Sequence, residues 1–111
     1  MADIKNHSTL PTNLVSYWDL EEASGTRYDL VGSNHMTDVA TVGQGTGKFG
    51  NCADFELSNA EYLKITDANQ TGLDSAGEMS WSCWIKIEQL PSTAGSDFGI
   101  MAKAASGSVE Y

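Results

Sequence analysis

Along residues 79–88 apolar and polar positions alternate, with Met79, Trp81, Cys83, Ile85 and Ile87 in one set and Ser80, Ser82, Trp84, Lys86 and Glu88 in the other. Successive side chains of an extended strand point to opposite faces, so the first five share one side, which is expected to be buried. The opposite face is polar apart from Trp84, expected to be partly covered by a loop or partner. A helical period would scatter these residues around the axis, and Trp, Ile and Cys are better strand formers than helix formers. The pattern predicts a central strand of an antiparallel sheet.

Shorter patterns flank it. Residues 13–20 give an apolar, aromatic run of strand length, closed by turn formers at 22–26. Residues 28–34 are loop chemistry, in which Asp29 and Asn34 can satisfy their own backbone and Gly32 supplies a positive φ. A short edge strand of uncertain register is expected at 35–42, and a glycine-rich loop at 43–50. At 51–57 the alternation resumes, with Ala53, Phe55 and Leu57 facing one way and Cys52, Asp54 and Glu56 the other. Residues 58–60 read as a hairpin connection to a strand at 61–66. The polar stretch 67–77 has room for one helical turn, 92–97 reads as a loop, 98–103 as a strand, and 109–111 as a strand beginning. Trp18 and Trp81 are assigned to the core.

Short strands, frequent glycine and serine turns and no convincing helix predict an all-β fold, an antiparallel β-sandwich or jelly roll. A polar arm at 1–12 leads into one domain at 13–111. Because the last strand is only beginning at Tyr111, the second sheet is expected to be incomplete, to be finished by further chain or by a neighbouring subunit.

Composition narrows the partners. The 111 residues carry a net charge of −9, and the six basic residues are dispersed, so a nucleic-acid partner is not expected. No run approaches the roughly 20 apolar residues of a membrane span, so membrane insertion is not expected either. The N-terminal stretch lacks the charged start and apolar centre of a secretory signal, and no export address is read there. Cys52 and Cys83 permit one disulfide without demanding it; two buried thiols are the expectation.

Several residues are candidates for chemistry. Glu21, Glu22, Asp29 and Asn34 offer hard oxygens around one turn-rich loop, the ligand type that calcium prefers. Trp84, Trp18 and Tyr28 could supply the aromatic faces that sugar recognition needs. Asp54 and Glu56, two apart in a strand, would place paired carboxylates on one face, the arrangement of glycoside hydrolysis. The glycine run at 45–50 carries the spacing of a dinucleotide loop, but Phe49 follows Lys48 and a strand, not a helix, comes next.

Four segments carry a resemblance. Residues 14–26, an aromatic strand running into an acidic Ser-Gly-Thr turn, resemble the opening of the laminin G-like, concanavalin A-like jelly rolls. Residues 47–55, 62–67 and 79–86 are similar, in order, to that family's Gly-Lys-Phe-Gly-Asn-Ala stretch, its next strand and its Trp-Val-Lys strand. Cys52 and Cys83 stand where the family often has alanine. The resemblance implies a lectin-type jelly roll, matched over its N-terminal part, in which loops often bind structural calcium. The function expected from it is a non-catalytic binding or adhesion module for a glycan or protein, outside cells or on a virion surface. Other protein subunits would be contacted through the N-terminal arm and the open sheet edge. Two alternatives stand beside it: a structural decoration subunit without a ligand, and a glucanase-like hydrolase using Asp54 and Glu56.

Overall fold

A computed structural model describes residues 12–110 apart from 75, 96, 106 and 107, with the backbone alone at 94, 104, 105 and 108–110. The arm expected at 1–12 lies outside the described residues except for Thr12. The chain divides into two compact units, one ending at Trp81 and one beginning at Ser82.

The first unit is built on two antiparallel ladders. Strand β1 (Thr37–Val39) pairs with β4 (Tyr62–Lys64), Asp38 standing opposite Leu63. Strand β2 (Gly43–Thr46) pairs with β3 (Asn51–Asp54), Gln44 standing opposite Ala53. The glycine-rich stretch is therefore not all loop: its first four residues form β2. Gly47 and Gly50 make the reversal that brings β2 onto β3, the Gly47 N–H donating to the Gly50 carbonyl at 2.8 Å. Gly50 sits at φ +72, and a Cβ on Gly47 would lie 2.8 Å from the Asn51 carbonyl oxygen, so both positions require glycine.

The expected hairpin across residues 58–60 does not form. β3 ends at Asp54, and Leu57–Asn59 is a 3-10 turn closed by Ala60 in the left-handed conformation. β4 then turns to β1 rather than to β3. The helical turn foreseen within 67–77 is the 3-10 turn Asp67–Asn69. Residues 13–20, expected as the first strand, enter no ladder among the described residues, although the Tyr17 carbonyl accepts the Leu30 N–H at 2.7 Å.

In the second unit a single-turn helix α1 (Pro91–Ala94) occupies part of the expected 92–97 loop. Proline starts it, and Gly95 at φ 69 ends it. Strands β5 (Lys103–Ala105) and β6 (Ser108–Glu110) pair antiparallel, Ala104 opposite Val109. The strand beginning near the C-terminus is therefore present. The one expected over 98–103 is not, since only Lys103 of it joins the ladder.

The larger correction concerns residues 79–88. They belong to no described strand, and the side expected to be buried is exposed, at Met79, Cys83, Ile85 and Ile87 as well as at Trp81, which is 54% exposed. Trp84, expected to be partly covered, is 73% exposed. No described strand pairs with this segment; alternation says which side a strand would bury, not that a neighbouring strand exists.

Val42, with no exposed surface, is the one buried apolar side chain among the described residues. Trp18 is half-buried. The other buried side chains are polar: Arg27 at 0%, Asn34 at 1% and Asp29 at 5% exposure. The described residues thus carry short antiparallel strands and brief helical turns, and a cluster of buried polar side chains lies in the first unit.

Candidate functional site

That cluster is the loop between Arg27 and Met36, which pinches itself shut. Arg27 and Met36 exchange both backbone hydrogen bonds, at 2.8 and 2.9 Å, forming an isolated antiparallel bridge. Inside the bridge the Asp29 carboxylate gathers the turn. Its Oδ1 accepts the N–H groups of Tyr17 at 3.0 Å, Val31 at 3.0 Å and Gly32 at 2.9 Å, and its Oδ2 accepts that of Asn34 at 3.1 Å. Burial opposes the charge on Asp29, but the amides of Tyr17, Gly32 and Val31 and the Ser16 side chain outweigh it and lower the pKa from 3.8 to about 2. The expectation that Asp29 would satisfy its own backbone holds at Val31 and Gly32.

Gly32 plays a different part from the expected one. It is not among the positive-φ glycines; its role is to let chains approach closely. A Cβ there would stand 2.7 Å from the Val15 carbonyl oxygen and 2.8 Å from Asp29 Oδ2.

Asn34 reaches beyond the loop. Its Nδ2 donates to Ser16 Oγ at 2.7 Å and to the Thr71 carbonyl at 2.8 Å, and its Oδ1 accepts the Thr71 N–H at 2.6 Å. The Asn34 carbonyl accepts the Trp18 indole N–H at 2.6 Å. Ser16 and Thr71 are thereby joined to the loop through the buried Asn34 side chain, and Trp18 through the Asn34 backbone carbonyl.

Arg27 was not singled out by sequence reasoning. Its guanidinium donates from Nη1 to the Gly25 carbonyl at 2.6 Å and from Nη2 to the Val42 and Gly43 carbonyls at 2.9 and 3.3 Å. Its Nε is buried without a hydrogen-bond partner. Nothing local in the sequence signals this, because its acceptors on Val42 and Gly43 are brought to it by the tertiary fold.

The four oxygen ligands proposed for calcium are each engaged with protein groups. Glu21 Oε2 accepts the Asn51 N–H at 3.0 Å, and Glu22 Oε1 accepts the Tyr28 N–H at 2.8 Å while Glu22 Oε2 is buried without a partner. Asp29 and Asn34 are held as above. Among the described residues no group of three or more His, Cys, Asp or Glu side chains is gathered to hold a metal ion.

Of the aromatic candidates, Trp18 directs its indole N–H at Asn34, and Tyr28 is exposed with its ring edge-on to His35, centroids 5.2 Å apart. Trp84 belongs to the second unit. Asp54 closes β3 and Glu56 lies outside it, exposed, its N–H donating to Glu61 Oε2 at 2.9 Å, so the two acids do not share a strand. Cys52 and Cys83 are both free, Cys83 exposed rather than buried. No described helix is long and apolar enough to cross a membrane.

The chain matches no family model, no curated protein and no solved structure.

Proposed function

We propose that this chain is a non-catalytic interaction module of the laminin G-like, concanavalin A-like jelly-roll type, engaging a glycan or protein surface and working beside other protein subunits. The observation that carries this reading is the exposure of Ile85, Ile87 and Leu90 in the second unit, in a chain whose described buried apolar side chain is Val42. Large apolar side chains grouped in solvent mark surfaces that another layer covers. Short antiparallel strands with little helix support the sandwich, and the exposed rings of Tyr28 in the first unit and Trp84 in the second each offer an aromatic face for a ligand.

Two measurements test it. Light scattering behind size exclusion is expected to show association that weakens when Ile85 and Ile87 are made polar. A glycan array is expected to show binding that falls with Trp84→Ala or Tyr28→Ala. Association with a silent array would favour a purely structural subunit. A monodisperse monomer that binds nothing would overturn the proposal.

A further inference from the structure

In the second unit, residues 82–87 carry no turn, bend or helix, and no described strand pairs with them. Lys86 Nζ reaches Glu88 Oε1 at 3.7 Å, a meeting of side chains two apart on one side of an extended chain. Cys83, Ile85 and Ile87 therefore share the other side, and all three are exposed. Their backbone N–H and C=O groups leave an extended chain along one common edge, and no described residue hydrogen-bonds to them. Such an edge is a template for another strand.

From this geometry we infer that the same segment of a second copy completes it, running antiparallel about a two-fold axis at Ile85. The inference rests on the association proposed above and names the neighbour. Two-fold pairing is self-complementary: whatever one copy presents, the other must receive.

Charge fixes the register. Opposed residues of an antiparallel pair share a face, so the apolar side meets itself only when the axis passes through a residue, not between two. With the axis at Ile85, Cys83 stands opposite Ile87, Ile85 opposite itself, and Glu88 opposite Ser82. Lys86 then faces Trp84, once from each copy, and its ammonium lies against an indole. An axis at Lys86 would oppose two like charges, and one at Trp84 or Cys83 would leave Lys86 opposite a serine. An axis at Ile87 would pair Lys86 with Glu88, but the chain bends at Glu88 and Gln89, and Ile85 would face Gln89. At Ile85 the hydrogen-bonded pairs fall on Cys83, Ile85 and Ile87, whose backbone groups no described residue takes.

The test is cross-linking of the whole chain carrying Cys52→Ser and Cys83→Ser, with one cysteine added and diamide as oxidant, which takes up the two thiol hydrogens as each disulfide forms. Opposed Cα atoms in hydrogen-bonded pairs lie about 5.5 Å apart, within disulfide reach. Ile85→Cys is expected to give a covalent dimer on a denaturing gel. Ser82→Cys is expected to give none, since its counterpart would lie about 20 Å along the partner strand. Ile87→Cys with Cys83 retained sets each thiol opposite the other copy's and should cross-link as well. Lys86→Glu should weaken dimerisation about tenfold in light scattering, through the loss of two exposed cation–π contacts. Association without a cross-link at Ile85→Cys, or with an equal one at Ser82→Cys, would overturn the inference and leave the interaction module standing. A monomer that still binds on a glycan array would do the same, and a monomer that binds nothing would overturn both.

Discussion

Asn34 grips Thr71, 37 residues away, at both of its backbone polar groups: Nδ2 donates to the carbonyl and Oδ1 accepts the N–H. One side-chain amide does for Thr71 what a neighbouring strand would do. In a unit with so little buried apolar surface, this makes a polar residue central to cohesion. Removing it by Asn34→Ala leaves the Thr71 N–H and carbonyl without their partner, at an expected cost of about 2–4 kcal/mol. Asn34→Asp keeps the size but turns a carboxylate oxygen toward the Thr71 carbonyl, and should cost at least as much at neutral pH. Urea denaturation reads both; midpoints within error of the unaltered chain would show that Asn34 holds nothing together.

Asp29 sets the acid limit of the same unit. Its carboxyl has a pKa of about 2 in the folded chain against an ordinary 3.8, the amide donors overriding burial. The folded value is the lower one, so the stabilisation is complete above the unfolded pKa and is lost as pH falls from 3.8 through about 2. A shift of this size is worth roughly 2 kcal/mol. Stability measured by denaturant should decline over that window in the unaltered chain, and Asp29→Asn should start lower and decline less. Parallel curves for the two would assign the acid response to other carboxylates.

What was legible in the sequence depended on how far a residue had to reach. Asp29 could be read because its acceptor role begins at Val31 and Gly32, two and three residues on. The strands β3 and β4 could be read from alternation within themselves, but their pairing could not. Each expected segment had a plausible neighbour in the other, and the actual partners are β2 and β1. β2 was missed because Gly43 and Gly45 carry no strand preference; the reversal at Gly47 and Gly50 places them opposite β3. Arg27, and the reach of Asn34 to Thr71, were beyond local reading, since Val42, Gly43 and Thr71 become their neighbours only in the fold.

Gly32 is expected to tolerate no side chain. An alanine Cβ would meet the Val15 carbonyl oxygen, a backbone atom, and the Asp29 carboxylate in the same place. Gly32→Ala should therefore cost about 1–3 kcal/mol, as overpacking does. At Gly25 nothing lies within 4 Å of an added Cβ, but the residue sits at φ +73, so Gly25→Ala should cost about 1–2 kcal/mol through the backbone alone. Thermal melts separate the two mechanisms when asparagine, which accepts positive φ, is placed at each: it should largely rescue position 25 and fail at 32.

Between β1 and β2, Ala40 and Thr41 both hold positive φ, at 62° and 66°. A β-branched residue is poorly suited to that conformation. Replacing the pair with Asn-Gly should relieve the strain and stabilise the unit by about 0.5–1 kcal/mol, less than the strain itself because glycine also loosens the unfolded chain. A rise in melting temperature with an unchanged denaturant slope is the expected reading; a fall would mean that Thr41 makes contacts worth more than its strain.

The exposed row 79–88 supplies the sharpest test, because burial and exposure there predict different magnitudes. A core isoleucine or tryptophan costs about 2–5 kcal/mol to truncate. Ile85 and Ile87 are more than half exposed, so Ile85→Ser and Ile87→Ser should each cost less than about 1 kcal/mol in the isolated chain. The same changes should raise solubility and weaken association. If either variant instead loses several kcal/mol as a dilute monomer, the row is covered within one chain and the module does not need a second layer from elsewhere. If stability holds while association disappears, Ile85 and Ile87 lie on the surface through which this chain meets its neighbour.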